Sequence, residues 1–418
     1  MISFPDTKSG GPPAAVGLDQ WDVMTRPSPA PLRAALARIA MKRAAKRCGI
    51  WVHLPDGRSF GSPSGPTLKV VNPEAFFARL GREGKIGFGE AYMAGDWDSP
   101  QLVELLEAMA RQIETLIPPD LQWVRRMYEV RHPALEDNDR AGSRRNISRH
   151  YDLSNEMFAS FLDESMTYSS ALFFNEADTL AQAQARKVER LLEVTGVREG
   201  SRVLEIGTGW GELALRAARR GARVTSVTLS EEQAAWARRR IQEAGMTPVI
   251  DIRVEDYRDV RGQFDAILSV EMIEAVGERW WPCYLRTLDE RLAPGGRVGL
   301  QSILMPHDRM MATRSSWTWI HKYIFPGGLI PSDQAIRETL RDCTTLEIVD
   351  QMHFGESYAR TLSHWRNRFN AHAQRIDQLG FDDTFQRMWN FFLAYSEAGF
   401  RSGYLDVAQL VLSREHNE

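Results

Sequence analysis

The residues with the clearest chemical potential run Glu205-Ile206-Gly207-Thr208-Gly209-Trp210-Gly211-Glu212, directly after the apolar pair Val203-Leu204. Three glycines alternate with other residues between a strand-like run and a helical pattern. Glycine lets the backbone take positive φ and lets a ligand lie against the main chain. The free N–H groups at the start of the following helix can receive a carboxylate or a phosphate. The turn reads G-x-G-x-G, not the dinucleotide-type G-x-G-x-x-G. The next strand, Arg223 to Ser230, ends without the acid that would hold a nicotinamide ribose.

A doubly wound α/β domain is the element that positions such a loop. Further strands read at Val249–Val254, Phe264–Val270 and, after Leu292-Ala293-Pro294-Gly295-Gly296, at Arg297–Leu300. The third strand runs into Glu255-Asp256-Tyr257 and the fourth into Glu271-Met272-Ile273-Glu274. This order resembles the class I methyltransferases that use S-adenosylmethionine, with a Rossmann-like catalytic domain. In them the first loop holds the methionine part and an acidic pair after the third strand borders the adenine. The resemblance implies cofactor contacts at Tyr168, Ser169, Glu205, Gly207, Gly209, Gly211, Thr228, Gln233, Glu255, Asp256 and Tyr257. The plain alternative is a similar domain binding another nucleotide.

Longer motifs narrow the acceptor. Arg149-His150-Tyr151-Asp152-Leu153-Ser154-Asn155, Met166-Thr167-Tyr168-Ser169-Ser170-Ala171, Val270 to Gly277 and Trp319 to Gly328 resemble the cyclopropane fatty acid synthase family. The resemblance runs from about Phe60 to the end of the chain. That family alkylates cis double bonds of membrane phospholipid acyl chains. Met305-Pro306-His307-Asp308 and Tyr395 to Tyr404 look closest to its branch making methyl- and methylene-branched acids, the precursors of tuberculostearic and furan fatty acids. The resemblance implies an enzyme of lipid biosynthesis acting on unsaturated phospholipid acyl chains. It also implies a homodimer, and a separate reductase or oxidase acting on the product.

An alkene is a poor nucleophile, so the sulfonium must be held in line with a dry π bond. Methyl transfer leaves a carbocation, and a base must then remove one proton. In the family a bound bicarbonate is that base, held by a Glu, a Tyr, a His, a Cys and a backbone group. Carried over by motif, the Glu is Glu274, the Tyr is Tyr358 and the backbone group is Ile303. Ser170 stands where the family has Cys, and Gln301 where it has His. Both can hydrogen-bond an anion, but neither supplies a positive charge. That departure favours a methyl- or methylene-branched product over a cyclopropane. Structural alternatives are a helix cap for Glu274, a core tyrosine for Tyr358 and a polar strand end for Gln301.

Composition sets limits. A chain of 418 residues has room for two cores, and 26% charged residues is ordinary for globular domains. Apolar runs fall short of the roughly 18 residues a span requires, and the N-terminus lacks a basic-then-apolar leader. The expectation is a cytoplasmic protein, peripheral at the inner membrane surface. Cys48, Cys283 and Cys343 are too scattered for a disulfide framework or a zinc site, so no metal is expected. A net charge of -3 argues against bulk nucleic-acid binding. Locally, Pro31 to Cys48 carries Arg33, Arg38, Lys42, Arg43, Lys46 and Arg47 without an acid, around Leu36, Ile39, Ala40 and Ala44. This reads as a basic amphipathic helix suited to an anionic bilayer, or as a solvated helix packed on its own domain. Arg140, Arg144, Arg145 and Arg149 form a second basic cluster.

The chain divides into a flexible segment at 1–29, a smaller α+β domain at 30–131, a linker at 132–148 and the catalytic domain at 149–418. In the smaller domain a hairpin is expected around Asp56-Gly57, a helix from Pro73 capped by Asn72, and another over Gln101 to Ile117. Residues 306–331 interrupt the catalytic domain and are expected to line the acyl site. Two other functions compete with lipid methylation. One is N-methylation of a small amine, since plant alkaloid enzymes share the His-Tyr-Asp and glutamate motifs. The other is lipid binding without turnover, which Ser170 and Gln301 permit.

Overall fold

The computed structural model describes residue 27 and residues 30–112, 138–151 and 154–414. The expected N-terminal segment apart from residue 27, the end of the helix from Gln101, the linker residues 132–137, and Asp152 and Leu153 fall outside the described residues. So do the side chains of Arg149, His150 and Tyr151.

The smaller domain opens with α1 (Pro31–Cys48), then strands β1 (Trp51–His53), β2 (Ser59–Gly61) and β3 (Thr67–Val70). α2 (Pro73–Glu83), α3 (Lys85–Met93), β4 (Trp97–Asp98) and α4 (Leu102–Arg111) follow. The hairpin forms as expected, with Val52 opposite Phe60. Asn72 caps α2 by accepting from Ala75 N, with Pro73 in the first turn. α1 packs through Ala37, Met41, Ala45 and Cys48, a spacing of one helical face.

The larger sheet holds β5 (Arg202–Ile206), β6 (Arg223–Thr228), β7 (Ile250–Val254), β8 (Phe264–Val270), β9 (Leu292–Leu304), β10 (Leu346–His353) and β11 (Asp406–Arg414). Their order is β10-β11-β9-β8-β5-β6-β7. β7, β6, β5, β8 and β9 are parallel, and β11 runs antiparallel to both β9 and β10. The order reverses at β5, which lies between β6 and β8, so the ligand crevice falls at the C-terminal ends of these strands. The expected turn before Arg297 is a bulge within β9: Phe264 pairs with Leu292 and Ala266 with Arg297, so Ala293–Gly296 loop out.

The two parts share one core. Phe88 and Tyr92 meet Phe391 of helix Asp383–Arg401 at 6.4 and 5.3 Å. From that helix Arg387 donates to the carbonyls of Tyr92 at 2.6 Å and Trp97 at 3.0 Å. Gly89 on α3 sits so close to the Trp319 indole that a Cβ would lie 2.5 Å from it. Residues 140–148, expected as linker, belong to helix Arg140–Tyr151. Arg140 there makes a two-point ion pair with Asp259, at 2.7 and 2.8 Å.

Candidate active site

A cavity of about 1550 Å³ runs from the C-terminal ends of β5, β6 and β8 to the surface of α1. Single small ligands occupy roughly 300–1,000 Å³, so this cavity can take a cofactor and a long chain together.

At the sheet end the backbone dominates. Gly209 has φ +51, and a Cβ built there meets nothing within 4 Å, so the position faces open cavity. Glu205 lies beneath the loop and accepts from Ser226 Oγ at 2.5 Å, while Ser226 also meets Thr208 Oγ1 at 2.7 Å. Burial pushes the Glu205 carboxyl up to about 8. Ser230 caps the next helix at Gln233 N, and Thr228 Oγ1 donates to Gln233 Oε1 at 3.2 Å. Tyr168, Ser169, Glu205, Gly207, Thr228, Gln233, Glu255 and Tyr257, all named as cofactor contacts by the resemblance, line this end.

Two expected contacts are turned elsewhere. Asp256 pairs with Arg258 at 2.6 Å and caps the short turn Tyr257–Asp259, so only Glu255 of the acidic pair reaches the cavity. Gly211 sits under helix Glu231–Glu243, where a Cβ would meet that of Ala237 at 3.1 Å. It packs the loop and does not line the cavity.

At the C-terminal end of β8 two carboxyls sit three residues apart, and the structure separates the expected catalytic groups between them. Glu274 Oε1 accepts from Ser302 Oγ at 3.0 Å and Ile303 N at 2.5 Å. Its buried Oε2 has no hydrogen-bond partner among the described residues. Tyr358 and Gln301 converge instead on Glu271. Tyr358 Oη donates to Glu271 Oε2 at 2.6 Å, and Gln301 Nε2 donates to Oε1 at 2.9 Å. Ser170 also reaches Oε1, at 2.9 Å, but through its backbone N–H; its hydroxyl donates to the carbonyl of Ala171. Gln409 Nε2 donates to Gln301 Oε1 at 3.1 Å, which fixes the amide with its donor toward Glu271.

Among the described residues, Glu271 and Met166 are the two non-glycines with positive φ, +53 and +57, and both line the cavity. That conformation costs about 1–2 kcal/mol in an L-residue, and such strain gathers at functional sites. Burial raises the Glu271 carboxyl, and the Tyr358 hydrogen bond and the Lys187 charge pull it back. Glu274 is pushed up to about 8 by burial and by Glu271 beside it. Two nearby carboxyls in an apolar pocket cannot both ionise easily; the three donors on Glu271 favour the charge there, and the unpartnered Glu274 Oε2 favours the proton on Glu274.

Sequence reasoning missed Glu271 and Lys187. Lys187 is buried, donates to Ser169 Oγ at 2.6 Å and lines the cavity; burial pulls its ammonium down to about 8. The available signal for Glu271 was a second acid at the end of β8 opposite a glutamine. The signal for Lys187 was a cation inside the apolar helical pattern of Leu180–Val194.

The other end is apolar. Trp319, Ile320, Phe325, Leu329 and Ile330 of the 306–331 insertion line it, as expected, with Phe391, Phe392 and Phe400 opposite. It then opens between α1, α2 and α4 past Leu36, Ile39, Leu80, Leu106 and Met109. On α1, Leu32, Leu36 and Ile39 are 83%, 62% and 52% exposed. Arg43, Lys46 and Arg47 rim the same mouth. Among the described residues no helix is long and apolar enough to cross a membrane, and no cluster of potential metal ligands occurs.

A family model described as mycolic acid cyclopropane synthetase matches residues 138–410. Over 419 residues the chain is 50% identical to a tuberculostearic acid methyltransferase of Mycobacterium tuberculosis, covering 97% of each protein. It is 34% identical over 350 residues to a cyclopropane-fatty-acyl-phospholipid synthase of Escherichia coli, covering 83% of this chain and 87% of that one. A solved mycolic acid cyclopropane synthase complexed with SAH and CTAB superimposes with a TM-score of 0.60 at 25% identity, over 67% of this chain and 98% of that one. A cyclopropane synthase from Mycobacterium tuberculosis gives the same TM-score at 27% identity, over 68% and 99%.

Proposed function

This chain belongs to the mycolic acid cyclopropane synthetase family, and from that premise we propose that it methylates the cis double bond of unsaturated phospholipid acyl chains. S-adenosylmethionine supplies the methyl group as an electrophile. The residues present suit it: the open face of Gly209, the buried Glu205 network beneath the loop, and Gln233 and Glu255 on the cavity wall. The observation that carries the reading is the continuity of this cavity. A backbone-lined cofactor end meets an aromatic channel, with two buried carboxyls where they join. The aromatic walls keep water from a cation formed there.

The product favoured is methyl- or methylene-branched, supported by the 50% identity to a protein named for tuberculostearic acid. A cyclopropane, supported at 34% identity, is the second reading. Incubation with S-adenosylmethionine and oleoyl- or vaccenoyl-phospholipid vesicles tests the function. One added carbon per acyl chain is expected, and unchanged chains overturn it. Gas chromatography of the methyl esters separates the products: a branched alkene keeps an olefin that hydrogenates easily, and a cyclopropane has none.

The exposed Leu32, Leu36 and Ile39 beside Arg43, Lys46 and Arg47 support docking on an anionic bilayer, with the acyl chain entering at α1. The enzyme is then peripheral at the inner membrane surface. A methylene branch becomes a saturated methyl branch only by gaining a hydride and a proton, so a separate reductase, or an oxidase on a furan route, acts next. The homodimer the family resemblance implies is tested by light scattering on the purified chain.

A further inference from the structure

Bicarbonate, the second cofactor the resemblance implies, does not fit the groups expected to hold it. Tyr358 Oη, Gln301 Nε2 and Ser170 N already converge on the two oxygens of Glu271. Ile303 N is engaged by Glu274. The Ser170 hydroxyl points to a backbone carbonyl. A free anion would have to break these bonds and settle, buried, between a carboxylate and a second carboxyl. Burial without new donors makes that costly.

We infer that Glu271 is itself the proton acceptor of the reaction, a carboxylate built into the chain in place of a diffusible anion. The inference rests on the methyltransferase reading above. Three donors hold Glu271 as an anion, and Gln301, locked by Gln409, donates without being able to surrender a proton at neutral pH. Burial and the adjacent Glu271 charge keep the proton on Tyr358, so it stays a donor. The buried Lys187 ammonium gives Glu271 a counter-charge. Glu271 stands at positive φ and lines the cavity where the reacting carbons would lie.

The step balances. The alkene π pair forms the bond to the methyl carbon, and the S–C pair stays on the departing thioether. Electron deficiency then lies on the other alkene carbon. Glu271 takes a proton from the added methyl group or from a neighbouring chain carbon. The released C–H pair closes a ring or forms a new double bond. The sulfonium and carboxylate charges vanish together, leaving a neutral thioether, a neutral acyl product and a protonated Glu271.

The test uses the full chain in carbon-dioxide-free buffer with oleoyl phosphatidylglycerol vesicles, with and without added bicarbonate. Wild-type turnover should be the same in both. A rate that collapses without bicarbonate and returns with it overturns the proposal. Glu271→Gly suits the positive φ and opens the anion space. It should lose about 100-fold or more in turnover, the scale of a general base, and regain part of it with bicarbonate. Calorimetry with S-adenosylmethionine should show that the variant still binds the cofactor. A variant that binds the cofactor and keeps the full rate overturns the proposal. Equilibrium dialysis with radiolabelled bicarbonate adds a readout independent of turnover. Retention by Glu271→Gly and not by wild type supports the proposal, and retention by wild type overturns it. The dialysis decides even if no lipid is methylated, so failure of this inference is distinguishable from failure of the methyltransferase reading.

Discussion

The two ends of the cavity are built on different principles. The cofactor end is built at the tips of adjacent strands, from Glu205–Trp210, Thr228, Leu229 and Gln233, with Glu255 and Tyr257 beside them. The acyl end is made of large side chains gathered from α1, α2 and α4, the insertion and helix Asp383–Arg401. The first is a local motif that any chain of this fold can carry. The second exists only when distant segments pack. Straining one end and reading the other therefore tests whether the two are independent.

The largest effect is expected at the cofactor end. Gly209→Val places a β-branched residue at φ +51 and fills space that is now open. Affinity for S-adenosylmethionine should fall by about two orders of magnitude, roughly 2.7 kcal/mol. Binding of a long-chain detergent at the acyl end should persist. Calorimetry showing unchanged cofactor affinity would place the cofactor elsewhere. Loss of both ligands would mean that the ends are not independent.

This division also decides what was legible in the sequence. The strands, the glycine loop and Gln233 were readable because their signals are contiguous and periodic. The insertion was readable as an interruption between β9 and the next helix. The surroundings of Gly211 and Asp256 were not readable, because a motif names residues, not directions: the glycine packs against Ala237, and the acid answers Arg258. Glu271 was quoted within a motif and passed over, since nothing in a linear chain shows that Tyr358, 87 positions away, would bond to it and not to Glu274. The apolar face of α1 was seen, but its seat beside α2 depends on Gly81, where a Cβ would lie 2.6 Å from the Arg33 backbone of α1.

The border between the ends passes between Glu271 and Glu274, and pH exposes it. An unfolded chain releases the Glu274 proton above 4.5, while the folded chain keeps it to about 8. The unfolded state therefore binds fewer protons across that window, and stability falls as pH rises from 4.5 to about 8. The loss is on the order of a few kcal/mol at its fullest. Glu274→Gln, which imitates the protonated acid, should flatten this slope and raise the melting temperature near pH 8. Thermal melts across pH check it. An equally steep slope in the variant would mean that Glu274 belongs to the charged end.

Strain on the apolar end should be smaller and run the other way. Gly89→Ala pushes a Cβ to 2.5 Å from the Trp319 ring, so the indole or α3 must shift. Overpacking of this kind costs about 1–3 kcal/mol. Because Trp319 lines the channel, the Michaelis constant for lipid should rise with cofactor affinity unchanged. A parallel loss of cofactor affinity would show that the two ends share one rigid wall.

The smallest effect is expected at the mouth. Arg38 lies over the Phe77 ring at 4.6 Å and Lys42 over Phe60 at 5.9 Å, so both help pack their own domain. Arg43 and Lys46 line the opening instead. Each basic residue near an anionic surface contributes about 1 kcal/mol, and the attraction fades within a Debye length of about 8 Å at physiological salt. Arg43→Gln should therefore weaken sedimentation with phosphatidylglycerol vesicles by roughly fivefold at low salt, and by little at high salt. Turnover on detergent-dispersed lipid should stay the same, because the residue attracts the membrane and does not touch the reacting carbons. Leu36→Ser should weaken vesicle binding at both salt levels, since buried apolar area is not screened. If both substitutions leave vesicle binding intact, α1 is only a packing helix, and the acyl chain reaches the carboxyls by another route.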